Sequence, residues 1–148
     1  MAKSDLWRVD FHAWASEQSA LLRAGRLAEI DRVRLAEEVE TMGRVEKREL
    51  VNRLTILLAH LLKWSHQPSL RGNSWRLTIK EQRLQIADHL DDNPSLAAFL
   101  DDAMRSAWAR ARLEAARETG HDEDTFAREC PWAFARVISE TFWPDERE

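Results

Sequence analysis

The chain has 148 residues, enough for one domain with a core that needs no disulfide or metal staple. Hydrophobic residues make up 44% and charged residues 32%, which excludes a wholly disordered chain, and a net charge of −4 is too small to imply a partner by itself. The single cysteine, Cys130, excludes an intrachain disulfide and a thiol-based metal site, and no run approaches 18 apolar residues, which excludes a membrane-spanning helix.

The N-terminal stretch MAKSDLWRVDFHAW holds no apolar core of signal-peptide length, so the expected compartment is the cytoplasm. A first helix is expected to start at Asp5 or Asp10, either of which can cap it through its carboxylate. Phe11, Trp14, Ala15, Leu21 and Leu22 supply its apolar face, and Gly25 suits the position just past its end. A short helical turn over residues 27–30 follows, and Asp31 caps the next helix.

In that helix Leu35, Val39 and Met42 form one apolar stripe, and Leu50, Leu54, Leu57 and Leu61 form a second. On a straight helix the two stripes are rotated from each other, and Gly43 lies between them, so a kink or break is expected there. Residues 54–64 (LTILLAHLLKW) are apolar nearly all round, the mark of a buried central helix, which Pro68 closes.

Residues 67–74 read as a loop, with Asn73 or Ser74 capping a helix to about Asp92 whose core stripe is Trp75, Ile79, Ile86 and Leu90. Asn93-Pro94-Ser95 reads as a turn with Ser95 as the next cap. A long helix over residues 96–119 then uses Leu96, Phe99, Leu100, Met104, Trp108 and Leu113, and Gly120 ends it. Residues 121–129 read as a polar connection with a short turn at 125–128, and Pro131 as the first residue of a last helix over 131–141. Phe142-Trp143-Pro144 either docks the C-terminus or stands as an exposed apolar tab. No strand-like alternation is present. The expected fold is all-α: an irregular single-domain helical bundle of four to six helices over residues 1–148.

The segments EEVETMG (37–43), LLAHLLKW (57–64), SWRLTIKEQR (74–83), NPSL (93–96), CPW (130–132) and FWP (142–144) make the chain similar to a bacterial family known as domain of unknown function 29. The resemblance covers nearly the whole chain. It implies a mostly helical fold and brings no established activity, cofactor or catalytic residue, so no site is carried over.

Four groups of residues could carry chemistry. Glu37, Glu38 and Glu40 include a pair three residues apart on one helical face, the spacing of carboxylate metal ligands in helical bundles. Position 41 is Thr, so these glutamates build no Glu-x-x-His step, a solvated or ion-paired face is the plainer reading, and no metal is expected. His60 and Lys63, with Arg53 and Glu49, line one side of the most apolar helix. If the chain folds back after Gly43, the three glutamates become their partners in a buried network that either fixes packing or tunes a pKa.

Arg76, Lys80 and Arg83 form a basic stripe, near Arg71 and interleaved with Trp64 and Trp75, which could hold an anion or single-stranded nucleic acid; the acidic balance speaks against nucleic acid. Cys130 precedes a helix start that could lower its pKa, but no base is paired with it. Seven tryptophans and no tyrosine suit helix seams, and Trp64, Trp75 and Trp143 are candidate contact aromatics.

No phosphate-binding loop or dinucleotide motif is present, and no cofactor is expected. The leading expectation is a non-catalytic interaction or regulatory domain whose partner is another protein or a second copy. The alternatives are a small enzyme using a Glu/His/Lys-Arg site around His60, and a nucleic-acid binder through the stripe from Arg76 to Arg83.

Overall fold

A computed structural model describes residues 3–145; the two residues before and the three after, part of the span expected for the domain, lie outside it. The chain is all-α, 77% helical, with no strand among the described residues. Six α-helices follow in order: α1 (Lys3–Val9), α2 (Phe11–Arg23), α3 (Arg32–His66), α4 (Asn73–Asp92), α5 (Leu100–Thr119) and α6 (Phe134–Val137). No helix among the described residues is long and apolar enough to cross a membrane. The structure divides into two compact units at Arg44/Val45.

In the N-terminal unit, both candidate starts of the first helix have a place. Asp10 caps α2, its Oδ1 accepting from the Ala13 N–H at 3.0 Å, while Asp5 lies in the first turn of the separate helix α1. Gly25, at φ +71°, ends α2. The Arg26 N–H reaches Leu21 O and the Gly25 N–H reaches Leu22 O, so two otherwise unpaired carbonyls are satisfied. Residues 26–29 make a hydrogen-bonded turn rather than a piece of helix, and Asp31 caps α3 through its Oδ1 and the Arg34 N–H at 3.3 Å. Of the expected apolar face, Trp14 and Leu21 are buried, but Phe11 and Leu22 are exposed. The third buried side chain is polar: Gln18, whose Oε1 accepts from the Asp31 N–H at 2.7 Å and so ties α2 to the start of α3.

The expected break at Gly43 is absent. α3 runs without interruption for 35 residues. One glycine in a helix interior costs only about 1 kcal/mol against alanine, and strong helix formers on both sides carry the backbone through. The first apolar stripe is also not core: Val39 and Met42 stand 64% and 68% exposed, whereas Leu50, Leu54, Leu57 and Leu61 of the second are buried as expected.

The C-terminal unit is an up-down-up arrangement of the second half of α3, α4 and α5. Side-chain contacts set the order. Arg53 of α3 meets Gln82 of α4, and His89 near the end of α4 reaches the Glu46 carbonyl, so these helices are antiparallel. Lys63 near the end of α3 meets Glu118 near the end of α5, and Lys47 lies over the Phe99 ring just before α5, so those two run parallel.

Gly72, not Asn73 or Ser74, stands at the N-cap of α4, and a 3-10 helix, Pro94–Phe99, precedes α5, with Asn93 rather than Ser95 before it. Proline at the first position of that tight turn delays the α-helix to Leu100. Gly120, at φ +74°, ends α5 as expected. The inner face of α5 consists largely of small residues, Ala103, Ala107, Ala111 and Ala115, all fully buried, while Leu113 is exposed because it lies off that face.

From residue 121 the expected polar connection hides a core residue. Phe126 is buried, edge-on to His66 with ring centroids 4.8 Å apart. The expected final helix shrinks to the four residues of α6, and Pro131 lies in irregular chain before it. Phe142-Trp143-Pro144 docks: Phe142 and Pro144 are buried, and Trp143 is half-buried.

Candidate functional site

The structure brings together some of the sequence-predicted site residues and separates others. Glu37, Glu38 and Glu40 do not meet His60 and Lys63. Their partners are local: Glu37 accepts from Arg34 at 3.3 Å, and Glu38 accepts from the Trp7 indole N–H at 3.3 Å, with the Arg34 guanidinium 4.2 Å above the Trp7 ring. Glu40 is exposed. No three His, Cys, Asp or Glu side chains among the described residues are placed to hold a metal.

Lys63 finds a glutamate that sequence reading did not propose. Its ammonium, on a side chain only 8% exposed, lies 2.5 Å from Glu118 Oε2 and 5.2 Å from the centroid of the Trp75 ring. A buried ammonium needs such a pairing because desolvation penalises an isolated charge. His60, one turn earlier, donates from Nδ1 to the Ile56 carbonyl at 2.8 Å, which leaves Nε2 with its lone pair. Burial pushes the His60 imidazole below its ordinary value, with neighbouring Lys63 acting in the same direction and Glu118 and Glu114 opposing. The carboxylate that Lys63 takes is thus Glu118 of α5 and none of the three glutamates expected, and His60 is bonded to its own helix. Nothing in the local sequence around His60 signals this, because the pairing spans 55 residues.

Burial takes one member out of the basic stripe. Arg76 donates to Asn73 Oδ1 at 2.6 Å, Lys80 is exposed, and Arg83 is buried at 4% exposure. Arg83 donates from Nε to the Val137 carbonyl at 2.8 Å and from Nη2 to the Phe142 carbonyl at 2.6 Å, clamping the C-terminal segment onto α4. Its Nη1 is shut away with no hydrogen-bond partner among the described residues. Burial lowers the Arg83 pKa from its ordinary value, and Glu140 pulls it back up.

Two more clamps hold the same segment. Ser65 donates to the Asp145 carbonyl at 3.0 Å, and Arg71 donates to the carbonyls of Trp64 (2.6 Å) and Pro144 (3.4 Å). Trp64 and Trp143 meet between them at a tilt of 48°, with centroids 4.8 Å apart, Arg71 over the first ring and Arg83 over the second. The candidate contact aromatics Trp64, Trp75 and Trp143 therefore spend much of their surface on internal cation–π contacts.

Two cavities formed by described residues of the C-terminal unit stand out. The first, about 650 Å³, has an aromatic floor of Trp108, Trp132 and Phe134 under a charged rim that includes Arg105, Arg128 and Glu129. Trp108 and Trp132 meet edge to face at 5.6 Å, and Trp108 donates to the Ala127 carbonyl at 2.9 Å. Cys130 lines this cavity. No helix starts beside it to activate it, since α6 begins only at Phe134, and burial pushes its thiol pKa up, partly offset by an Sγ–H contact to the Trp132 carbonyl at 3.3 Å. The second cavity, about 530 Å³, lies between α4 and the chain after α6, lined by Lys80, Arg83, Leu84, Ala87, Ile138, Glu140 and Thr141.

Helix order and packing define an all-α protein whose second unit is closed by a clamped C-terminal segment. The chain belongs to the family described as Domain of unknown function DUF29, which matches residues 6–143. No curated protein and no solved structure matches the sequence.

Proposed function

We propose that the chain is a non-catalytic protein-interaction domain whose docking surface lies on its N-terminal unit, the partner being another protein or a second copy. One observation supports this reading most. Among the described side chains up to Arg44 only Trp14, Gln18 and Leu21 are buried, while Val9, Phe11, Leu22, Leu27, Val33, Val39 and Met42 are exposed. Scattered exposed apolar residues are ordinary on a folded surface, but such a concentration on a unit with so little core marks a surface that gains by being covered.

The enzymatic alternative has the Lys63–Glu118 pair one turn from His60 in its favour, but His60 itself is bonded through Nδ1 to the Ile56 carbonyl of its own helix. The nucleic-acid alternative loses its footing because Arg83 faces inward and Arg76 is engaged by Asn73.

The test is a double variant, Val39→Glu with Met42→Glu, compared with wild type by sedimentation velocity over a range of concentrations and by cross-linking to co-purifying proteins. Unchanged helicity with loss of a stoichiometric complex is the expected result. A wild-type chain that stays monomeric and forms no stoichiometric complex, or a complex that the double variant leaves intact, overturns the reading.

A further inference from the structure

We propose that the 530 Å³ cavity between α4 and the chain after α6 binds a small zwitterionic carboxylic acid of the aliphatic α-amino-acid class. The volume falls in the range of about 300–1,000 Å³ typical of small-molecule sites. Its lining has the three kinds of surface such a ligand needs. Lys80 and Arg83 supply two cations, Glu140 supplies one anion, and Leu84, Ala87 and Ile138 supply an apolar wall.

Arg83 is the decisive residue. Nearly all of its side chain is buried, two of its nitrogens are used on the Val137 and Phe142 carbonyls, and Nη1 has no partner among the described residues. A guanidinium N–H left unpaired away from water is costly, and a guanidinium cannot shed its charge as a lysine can. Nη1 has no surface that a ligand can touch, so an anion in the adjoining cavity acts on the guanidinium charge through space, in the same direction as Glu140.

Glu140 selects among anions. Its carboxylate shares the lining with Lys80 and Arg83, so a polyanion such as phosphate meets a like charge there, and a monocarboxylate is the better fit. Glu140 also offers a site for an ammonium group. A ligand carrying both groups on neighbouring atoms uses both signs of charge, and a branched aliphatic side chain lies against Leu84, otherwise 62% exposed, together with Ala87 and Ile138. This site is independent of the docking surface proposed above and lies wholly within the C-terminal unit.

The experiment is an amide NMR titration of the full chain with leucine, 4-methylpentanoate (no amine), isoamylamine (no carboxylate) and inorganic phosphate. Leucine is expected to give saturable shifts confined to residues 80–87 and 138–141, with a Kd of about 1 mM or tighter. Lys80 and Glu140 are exposed, so Lys80→Met and Glu140→Gln test the site without disturbing the core. Lys80→Met should weaken leucine about tenfold, worth about 1.4 kcal/mol, and Glu140→Gln should erase the preference for leucine over 4-methylpentanoate. The proposal is overturned if no probe gives saturable shifts there, if phosphate or 4-methylpentanoate binds as well as leucine, or if both variants bind leucine as wild type does.

Discussion

From Val45 onward the chain buries 21 hydrophobic side chains in one cluster; among the described residues before it, only Trp14 and Leu21 are buried hydrophobics. Both regions are built from the same kind of amphipathic helix, and α3 belongs to both. The difference shows that an apolar stripe is a demand for a neighbour rather than proof of one. In the second region α4, α5 and the clamped C-terminal segment meet the demand made by Leu50, Leu54, Leu57 and Leu61. In the first, a unit of about 40 residues is near the size below which a chain struggles to bury enough surface by itself, and Val39 and Met42 remain open.

The largest expected effect lies in the closed region. Leu57→Ala or Leu61→Ala should destabilise by about 2–5 kcal/mol, the range for large-to-small changes in a packed core, read by denaturant unfolding. A shift under about 0.5 kcal/mol, the size of an ordinary surface change, would erase the contrast between the regions.

Next comes the clamp on the C-terminal segment. Arg83→Met removes the donors to two carbonyls, and each buried acceptor left unpaired costs about 1–3 kcal/mol. Loss of the unpaired Nη1 offsets part of that. Hydrogen exchange should show residues 137–144 opening while α3 stays protected. Uniform loss of protection would mean that Arg83 holds the whole unit rather than the segment.

The His60 effect is smaller and depends on pH. Burial sets the folded-state pKa below the unfolded value of about 6.5, so below that value the unfolded chain binds the proton more readily. Its contribution is therefore intact above about pH 6.5 and is lost progressively as pH falls toward the folded-state pKa. Unfolding free energies measured across that window should fall more steeply for wild type than for His60→Gln; parallel curves would show that His60 is titrating as if exposed.

The smallest effect should be at the open stripe. Val39→Ala and Met42→Ala are expected to change the stability of the isolated chain by no more than about 0.5 kcal/mol. A loss of core size at either position, in the absence of any partner, would show that the first region is closed after all.

How much was legible in the sequence follows from the range of the interactions. Asp10, Asp31, Gly25 and Gly120 act on backbone groups within a few residues of themselves, so their capping roles could be read directly. The helix over residues 54–64 was legible because it is apolar on nearly every side, and no arrangement leaves it outside. The expected break at Gly43 did not occur because one glycine between strong helix formers does not end a helix. Phe126 was missed because a single aromatic in a polar stretch has no periodicity to reveal it.

The candidate sites were legible as residue types but not as groups. His60 and Lys63 stood out as polar residues on an apolar helix, and the need for partners followed from the cost of burying them, whereas Arg83 was legible only as part of a basic stripe. Which partners they take, Glu118 for Lys63 and the Val137 and Phe142 carbonyls for Arg83, depends on pairings across more than 50 residues. Local chemistry thus determined the helices, their ends and the central buried segment, because those rest on backbone hydrogen bonds and side-chain period. Only the tertiary structure decided which apolar stripe became core and that Arg83 turned inward onto the Val137 and Phe142 carbonyls rather than outward to solvent. Burial and the pairing of charges are properties of the space between helices, which no single helix encodes.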